Sequence, residues 1–265
     1  RPGRDALLAD TGVATKALLP IAGRPMLLHV VDALRAAPAI GRITIMAQDS
    51  AALAADPALR ALAQDPRLAF IDSSAGISAS LVAVVAAHDA PLLVTTADNV
   101  LLSPAMIAEF VEASRGSDVA VAMVARANLL ARHPQSRRTW LKFRGGWWSG
   151  ANLFRFGGRQ VLPLLDFWSG IEQDRKKGLR IVAAFGPALL VAALLRLITI
   201  GQGVQRAARR FGIRDARVVA MTDPEACIDA DKPADIILIE QILAARQAAA
   251  SAASTAAVAS ASSSA

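Results

Sequence analysis

The run Pro91-Leu92-Leu93-Val94-Thr95-Thr96-Ala97-Asp98-Asn99 sets the tightest limit on the fold. Its first half is apolar without alternation, the pattern of a strand covered on both faces, and such strands belong to parallel sheets flanked by helices. The run ends at an aspartate, and Ser103-Pro104 then supplies a cap and a first-turn proline for a helix through Ser114. In open α/β sheets ligands sit off the carboxyl ends of strands, so Asp98 stands where a metal-binding carboxylate should be.

The same alternation recurs along the chain. Arg42 to Ala47 reads as a buried parallel strand followed by polar Gln48-Asp49, and Ser50 to Gln64 as a helix interrupted near Pro57. A short strand, Leu68 to Ile71, precedes the small-residue loop Ser73 to Ser80, which feeds a helix through His88. Backbone N–H groups at such a helix start favour anions, and small side chains let a ligand come close. Val119 to Val124 and Ala151 to Phe156 add strands, with a helix ending near Gly170 after them. Pro187 to Ile200 and Gly203 to Phe211 read as helices whose apolar faces suit a subunit contact, hence a possible homo-oligomer. Pro233, with Asp231 as cap, opens a last helix to about Arg246, and the Ala/Ser stretch 247–265 reads as a disordered tail.

The stretch Thr15-Lys16-Ala17-Leu18-Leu19-Pro20-Ile21-Ala22-Gly23-Arg24-Pro25-Met26-Leu27 puts a lysine beside an apolar run, then a turn, then an amphipathic helix. Met26, Leu27, Val30, Val31 and Leu34 share one face, and the helix stops before Pro38. The net charge is +7 and arginine carries nearly all of it; lysine occurs only at Lys16, Lys142, Lys176, Lys177 and Lys232. A basic balance suits polyphosphate ligands, while an Arg-rich, Lys-poor composition is weak ground for nucleic-acid binding. Cys227 is the only cysteine, so no disulfide framework exists and a cytoplasmic setting is the default. Ile181 to Leu195 is uncharged, but Gly186-Pro187 interrupts it and it is short for a membrane span.

Lys-Ala-Leu-Leu-Pro-Ile-Ala-Gly-Arg-Pro-Met-Leu, from Lys16 to Leu27, strongly resembles the K-x-L-x-P-x-x-G-x-P-M-L segment of nucleotidyltransferases such as sugar-1-phosphate nucleotidylyltransferases and molybdenum-cofactor guanylyltransferases. Asp98 resembles the family's metal aspartate, with Ala97 and Val100 where a G-D-x-P pattern has glycine and proline. Asp229-Ala230-Asp231-Lys232-Pro233-Ala234-Asp235-Ile236 resembles its D-x-D-T-P-E-D-L element.

The resemblance implies a Rossmann-like three-layer α/β sandwich over residues 1–246, with a mostly parallel sheet and a mixed acceptor-side insertion at about 127–215. The chain opens inside the family's first loop, so the first strand is expected to be missing. The implied reaction moves NMP from a nucleoside triphosphate to a phosphorylated small-molecule acceptor and releases pyrophosphate. Lys16 and either Arg1 or Arg4, with Gly3 in the same loop, would contact the triphosphate. Gln48, Gly76, Ser78 and Ser80 would bind the nucleotide and Asn152 the acceptor; independently of the resemblance, two adjacent lysines in a lysine-poor chain suggest that Lys176 and Lys177 contact the acceptor phosphate. Asp98 with Asp229 or Asp231 would hold Mg²⁺. Two other readings stand beside this one. A metal-dependent glycosyltransferase could use Asp229-Ala230-Asp231, though the Lys16 segment speaks against it, and a non-catalytic nucleotide-binding protein would tolerate the loosened Asp98 pattern. The basic and aromatic residues from Arg126 to Trp148, among them His133, Arg137, Arg138 and Lys142, could stack bases or line the acceptor side.

Overall fold

The computed structural model describes residues 7–8, 13–73, 76–172 and 185–262. A 3-10 turn, Lys16–Leu18, leads into a hairpin of β1 (Pro20–Ile21) and β2 (Arg24–Pro25), then helix α1 (Met26–Ala36). The hairpin turn places Ala22 at φ 49° and Gly23 at φ 74°, the left-handed pair that matches the twist of a tight hairpin. Helix α1 buries Met26, Leu27, Val30 and Val31, the stripe that its spacing predicts.

There follow β3 (Ile43–Ala47), α2 (Ser50–Ala55), α3 (Arg60–Ala63), β4 (Leu68–Asp72), α4 (Ile77–Ala87), β5 (Leu92–Thr95) and α5 (Pro104–Ala113). The Ser103 hydroxyl caps α5 by accepting from the Met106 N–H at 3.2 Å. The chain continues through β6 (Val119–Ala125), α6 (Arg126–Arg132), β7 (Leu141–Phe143), β8 (Gly146–Phe156) and α7 (Leu162–Glu172). Helices α8 (Pro187–Leu194) and α9 (Ile200–Arg209), strand β9 (Ala216–Ala220) and helix α10 (Pro233–Ser262) complete it.

The main sheet runs β5-β8-β6-β9, with β7 paired to β8. Strand β8 lies antiparallel to both β5 and β6, whereas β6 and β9 are parallel. Strands β5, β6 and β9 therefore all point one way, and β8 is the long inverted strand between them. Strands β3 and β4 form a separate parallel pair. Among the described residues β3 pairs only with β4 and β5 only with β8.

Side-chain alternation divides the layers. Ala120, Ala122 and Val124 of β6 join Leu93 of β5, Ala151 and Leu153 of β8, and Ile107, Phe110 and Ile239 of the helices in one core. Val119 of β6 and Phe156 of β8 face the opposite core, with Leu81 and Val85 of α4 and Leu165 of α7. A third cluster seats Ile43 and Ile45 of β3 on Leu27 and Val31 of α1. Helices thus cover both faces, which is the expected three-layer arrangement.

Some boundaries differ from expectation. Strand β8 begins at Gly146 rather than Ala151, because hairpin pairing with β7 extends it. Helix α8 stops at Leu194, where Arg196 turns to φ 57°. Helix α9 starts at Ile200 rather than Gly203, since Thr199 and Gln202 form a reciprocal capping box. Helix α10 continues to Ser262, through the Ala/Ser stretch expected to be disordered; alanine is the strongest helix former, so a helix already started there can propagate. Over Pro233–Ala253, α10 has the length and apolarity to cross a membrane, yet its Leu238, Ile239 and Ile242 are buried in the core.

Candidate active site

Three separated stretches meet at the carboxyl end of β5. The Lys16 ammonium donates to Asp98 Oδ2 at 3.1 Å and to Asp231 Oδ1 at 2.9 Å. It therefore stands between two carboxylates that come from loops far apart in sequence. Those loops are also joined directly: the Ala230 N–H donates to the Asp98 carbonyl at 3.0 Å. On the other side, the Thr96 hydroxyl donates to Asp98 Oδ1 at 2.5 Å. Burial would lower the Lys16 pKa, but hydrogen bonds and charge from Asp231 and Asp98 overcome it and hold the ammonium above its ordinary range.

Asp229 is turned to different partners. Arg138, whose side chain is only 7% exposed, pairs with both Asp229 and Asp235. The Asn152 amide donates to Asp229 Oδ2 at 3.0 Å. Burial pushes the Asp229 carboxyl above its ordinary range; Arg138 opposes this, and the charges of Asp231 and Asp98 add to it. Asn152 sits at φ 47°, beside a shift in the β6–β8 register between Val121 and Met123. A bulge that re-aims a side chain is a known way of building sites into strands, and asparagine tolerates the left-handed region better than most residues.

Two glutamates fix the segments on either side of this site. Glu225, with a side chain 3% exposed, receives Arg246 at 2.5 Å, Arg132 at 3.2 Å and the His133 ring at 3.2 Å. It anchors the 3-10 turn Pro224–Cys227 to α6 and α10. Glu240 of α10 accepts the Ala22 N–H at 2.9 Å, tying the Lys16 segment to the same helix. Asp231 does not cap α10 as expected, because its carboxylate goes to Lys16. Asp235, in the first turn of α10, instead reaches back and accepts from the Lys232 N–H at 3.1 Å.

Of the residues singled out in the sequence, Lys16, Asp98, Asp229, Asp231 and Asn152 fall into this one constellation. Gln48 stands exposed just past β3. Gly76 is the residue before α4, and Ser78 and Ser80 are buried in its first turns, where the Ser80 hydroxyl donates to the Gly76 carbonyl at 2.8 Å. Arg1, Gly3, Arg4, Lys176 and Lys177 lie outside the described residues. Sequence reasoning missed Thr96 and the ion-pairing role of Arg138. A hydroxyl two residues before the aspartate was the available signal for Thr96; Arg138 stood in a basic-aromatic stretch that pointed to stacking.

Residues 11–210 match the MobA-like NTP transferase domain family. The chain belongs to that family. It is a nucleotidyltransferase enzyme by that membership, as the motifs at Lys16 and Asp98 imply. No curated protein matches it in sequence. Among solved structures, a hypothetical transferase from Thermus thermophilus is similar at TM-score 0.71 and 24% identity, covering 85% of this chain and 91% of that one. The 4-diphosphocytidyl-2C-methyl-D-erythritol synthase of Anaerococcus prevotii is similar at TM-score 0.53 and 13% identity, over 84% of this chain and 88% of that one. A CMP:2-keto-3-deoxy-manno-octonic acid synthetase complexed with CTP is similar at TM-score 0.52 and 15% identity, over 87% and 92%. At these identities the likeness of this MobA-like domain to the three structures is one of fold.

Proposed function

We propose that this MobA-like domain transfers NMP from a nucleoside triphosphate to a phosphorylated small-molecule acceptor, such as a sugar phosphate or cofactor precursor. An oxygen of the acceptor phosphate attacks the α-phosphorus, the bond from that phosphorus to the bridging oxygen breaks, and pyrophosphate leaves with the electron pair. Catalysis of this kind is chiefly positioning and charge neutralisation. The observation that carries the reading is the Lys16 ammonium held between Asp98 and Asp231 beyond the carboxyl end of β5.

In this reading Lys16 exchanges carboxylate contacts for phosphate oxygens when the triphosphate arrives. Thr96 holds one oxygen of Asp98 in place through its hydroxyl. Arg138 and Asn152 fix Asp229, and through it the loop that presents Asp231. Among the described residues no three His, Cys, Asp or Glu side chains are arranged to hold a metal by themselves. The donor set nonetheless fits Mg²⁺, which takes hard oxygens and commonly binds through one or two carboxylates plus substrate phosphates. Asp98 and Asp231 would hold it, and it would neutralise charge on the phosphates being transferred. Asp229, already committed to Arg138 and Asn152, is the weaker candidate ligand.

Pyrophosphate release with each of the four common triphosphates, against a panel of phosphorylated sugars and alcohols, tests the proposal. The cytidylyl names of two similar folds put CTP first in that series. One triphosphate should support acceptor-dependent release, and Asp98→Asn should lower turnover by about a hundredfold, the order expected for losing one preorganised charged group. Tight nucleotide binding without release for any acceptor would favour a non-catalytic role.

A further inference from the structure

Helix α8 contains no polar side chain from Pro187 to Leu194. Its outward stripe and the turn after it expose Val191 by 50%, Leu194 by 81%, Leu195 by 61% and Leu197 by 58%. These four account for half of the large apolar side chains that stand exposed among the described residues. Single exposed leucines are ordinary; a contiguous group on one short segment marks a contact surface.

The charges around the stripe point to what covers it. From Phe185 to Arg214 the chain carries Arg196, Arg206, Arg209, Arg210 and Arg214 and no aspartate or glutamate. Arg206 and Arg209 of α9 and Arg210 just past its end line a cavity of about 340 Å³ together with Ala188 and Leu189 of α8. All three are exposed, as is Arg196 at the other end of α8. None of these four arginines forms an ion pair with a described residue.

We propose that α8 and the arginines of α9 form a docking surface for an anionic lipid bilayer. An apolar ridge with exposed arginines near both its ends suits the interface of such a membrane, where side chains like Leu194 and Leu195 enter the acyl boundary and arginines meet the headgroups. A second copy of this chain is a poorer occupant. A two-fold contact sets the same patch against itself, and a patch from Phe185 to Arg214 brings arginines from both copies together and no carboxylate. The segment also touches the acceptor-side hairpin: the Arg144 N–H donates to the Ile198 carbonyl at 3.0 Å. Docking here would hold that hairpin near the bilayer.

Co-sedimentation with vesicles tests this on the full chain. The protein should pellet with phosphatidylcholine vesicles that contain phosphatidylglycerol, stay in solution with phosphatidylcholine alone, and be released by high salt. Arg206→Gln/Arg209→Gln/Arg210→Gln and Leu194→Ser/Leu195→Ser should each weaken partitioning by at least about tenfold. Both should keep the parent's melting temperature and its pyrophosphate release with soluble substrates, because every substituted residue is exposed and none is bonded to Lys16 or Asp98. Failure to pellet with anionic vesicles, or equal pelleting with phosphatidylcholine alone, would overturn the proposal. So would a Leu194→Ser/Leu195→Ser variant that turns a dimer into a monomer in sedimentation velocity yet binds vesicles as the parent does, for the stripe would then be a self-contact.

Discussion

Replacing Arg138 by methionine removes a guanidinium whose side chain is 7% exposed and which serves Asp229 and Asp235 together. Those carboxylates keep 22% and 10% of their side-chain surface open, so the variant strands two partly desolvated charges. Removing one partner of a buried pair costs about 3 to 5 kcal/mol, and the opening of Asp229 to solvent argues for about 3. For a chain of this size that lowers the melting temperature by about 9 °C. Calorimetry at neutral pH gives the first measurement. A pH series gives the second: burial already raises the Asp229 pKa, and losing Arg138 raises it further. A carboxyl with a folded pKa above its unfolded one binds more protons when folded, so stability falls as pH rises through that interval. The variant's deficit should therefore be largest at neutral pH and shrink as pH falls toward the ordinary carboxylate range. Adding Asp229→Asn to Arg138→Met should recover part of the loss, because one stranded charge is gone. A melting temperature within about 2 °C of the parent, or a double variant less stable than the single, would refute the argument that this pair supports the loop.

Other outcomes follow from single contacts. Ala22→Gly should raise stability by about 1 kcal/mol, read by urea titration, because alanine at φ 49° bears a left-handed cost that glycine escapes. Asp118 accepts from the N–H groups of Asp215 and Arg214 and from Gln160, and these contacts hold its carboxyl below the ordinary range. Its contribution is present above the unfolded pKa and is lost as pH falls through the folded one, so Asp118→Asn should flatten the acid limb of the stability profile. The Cys227 thiol is pushed up to about 12 by burial, and a disulfide reagent should leave it unmodified in the native protein at neutral pH yet react once urea unfolds the chain.

The parts legible in the sequence were those written locally. The apolar run ending at Asp98, the Lys16 segment and the proline-started last helix each carried their element type and a candidate site residue in one stretch. The structure sets Lys16, Asp98 and Asp231 in contact, across separations of 82 and 215 residues. What stayed hidden was pairing. Nothing near Arg138 says that its partners lie 91 and 97 residues away, and the local pattern of aromatic and basic residues suggested a surface for stacking instead. Strand β8 was legible only as Ala151 to Phe156, since its first half is specified by its register against β6 and β7 rather than by its own composition. Asn152 was named from the family resemblance, but its left-handed backbone goes with the register shift in the partner ladder.

Among the described residues β3 and β5 each keep one side without a partner strand, and this bears on how the protein behaves in bulk solution. Leu92, Leu93 and Val94 are only half-buried, and no lysine or proline interrupts β5 to discourage a foreign strand. Rows of open amide groups beside such side chains are templates for strand addition, so encounters between molecules carry a risk of irreversible association. The charge of +7 opposes those encounters, and that colloidal protection weakens as ions screen it. High salt, which would free the chain from an acidic surface, should for the same reason shorten its life as a clear concentrated solution.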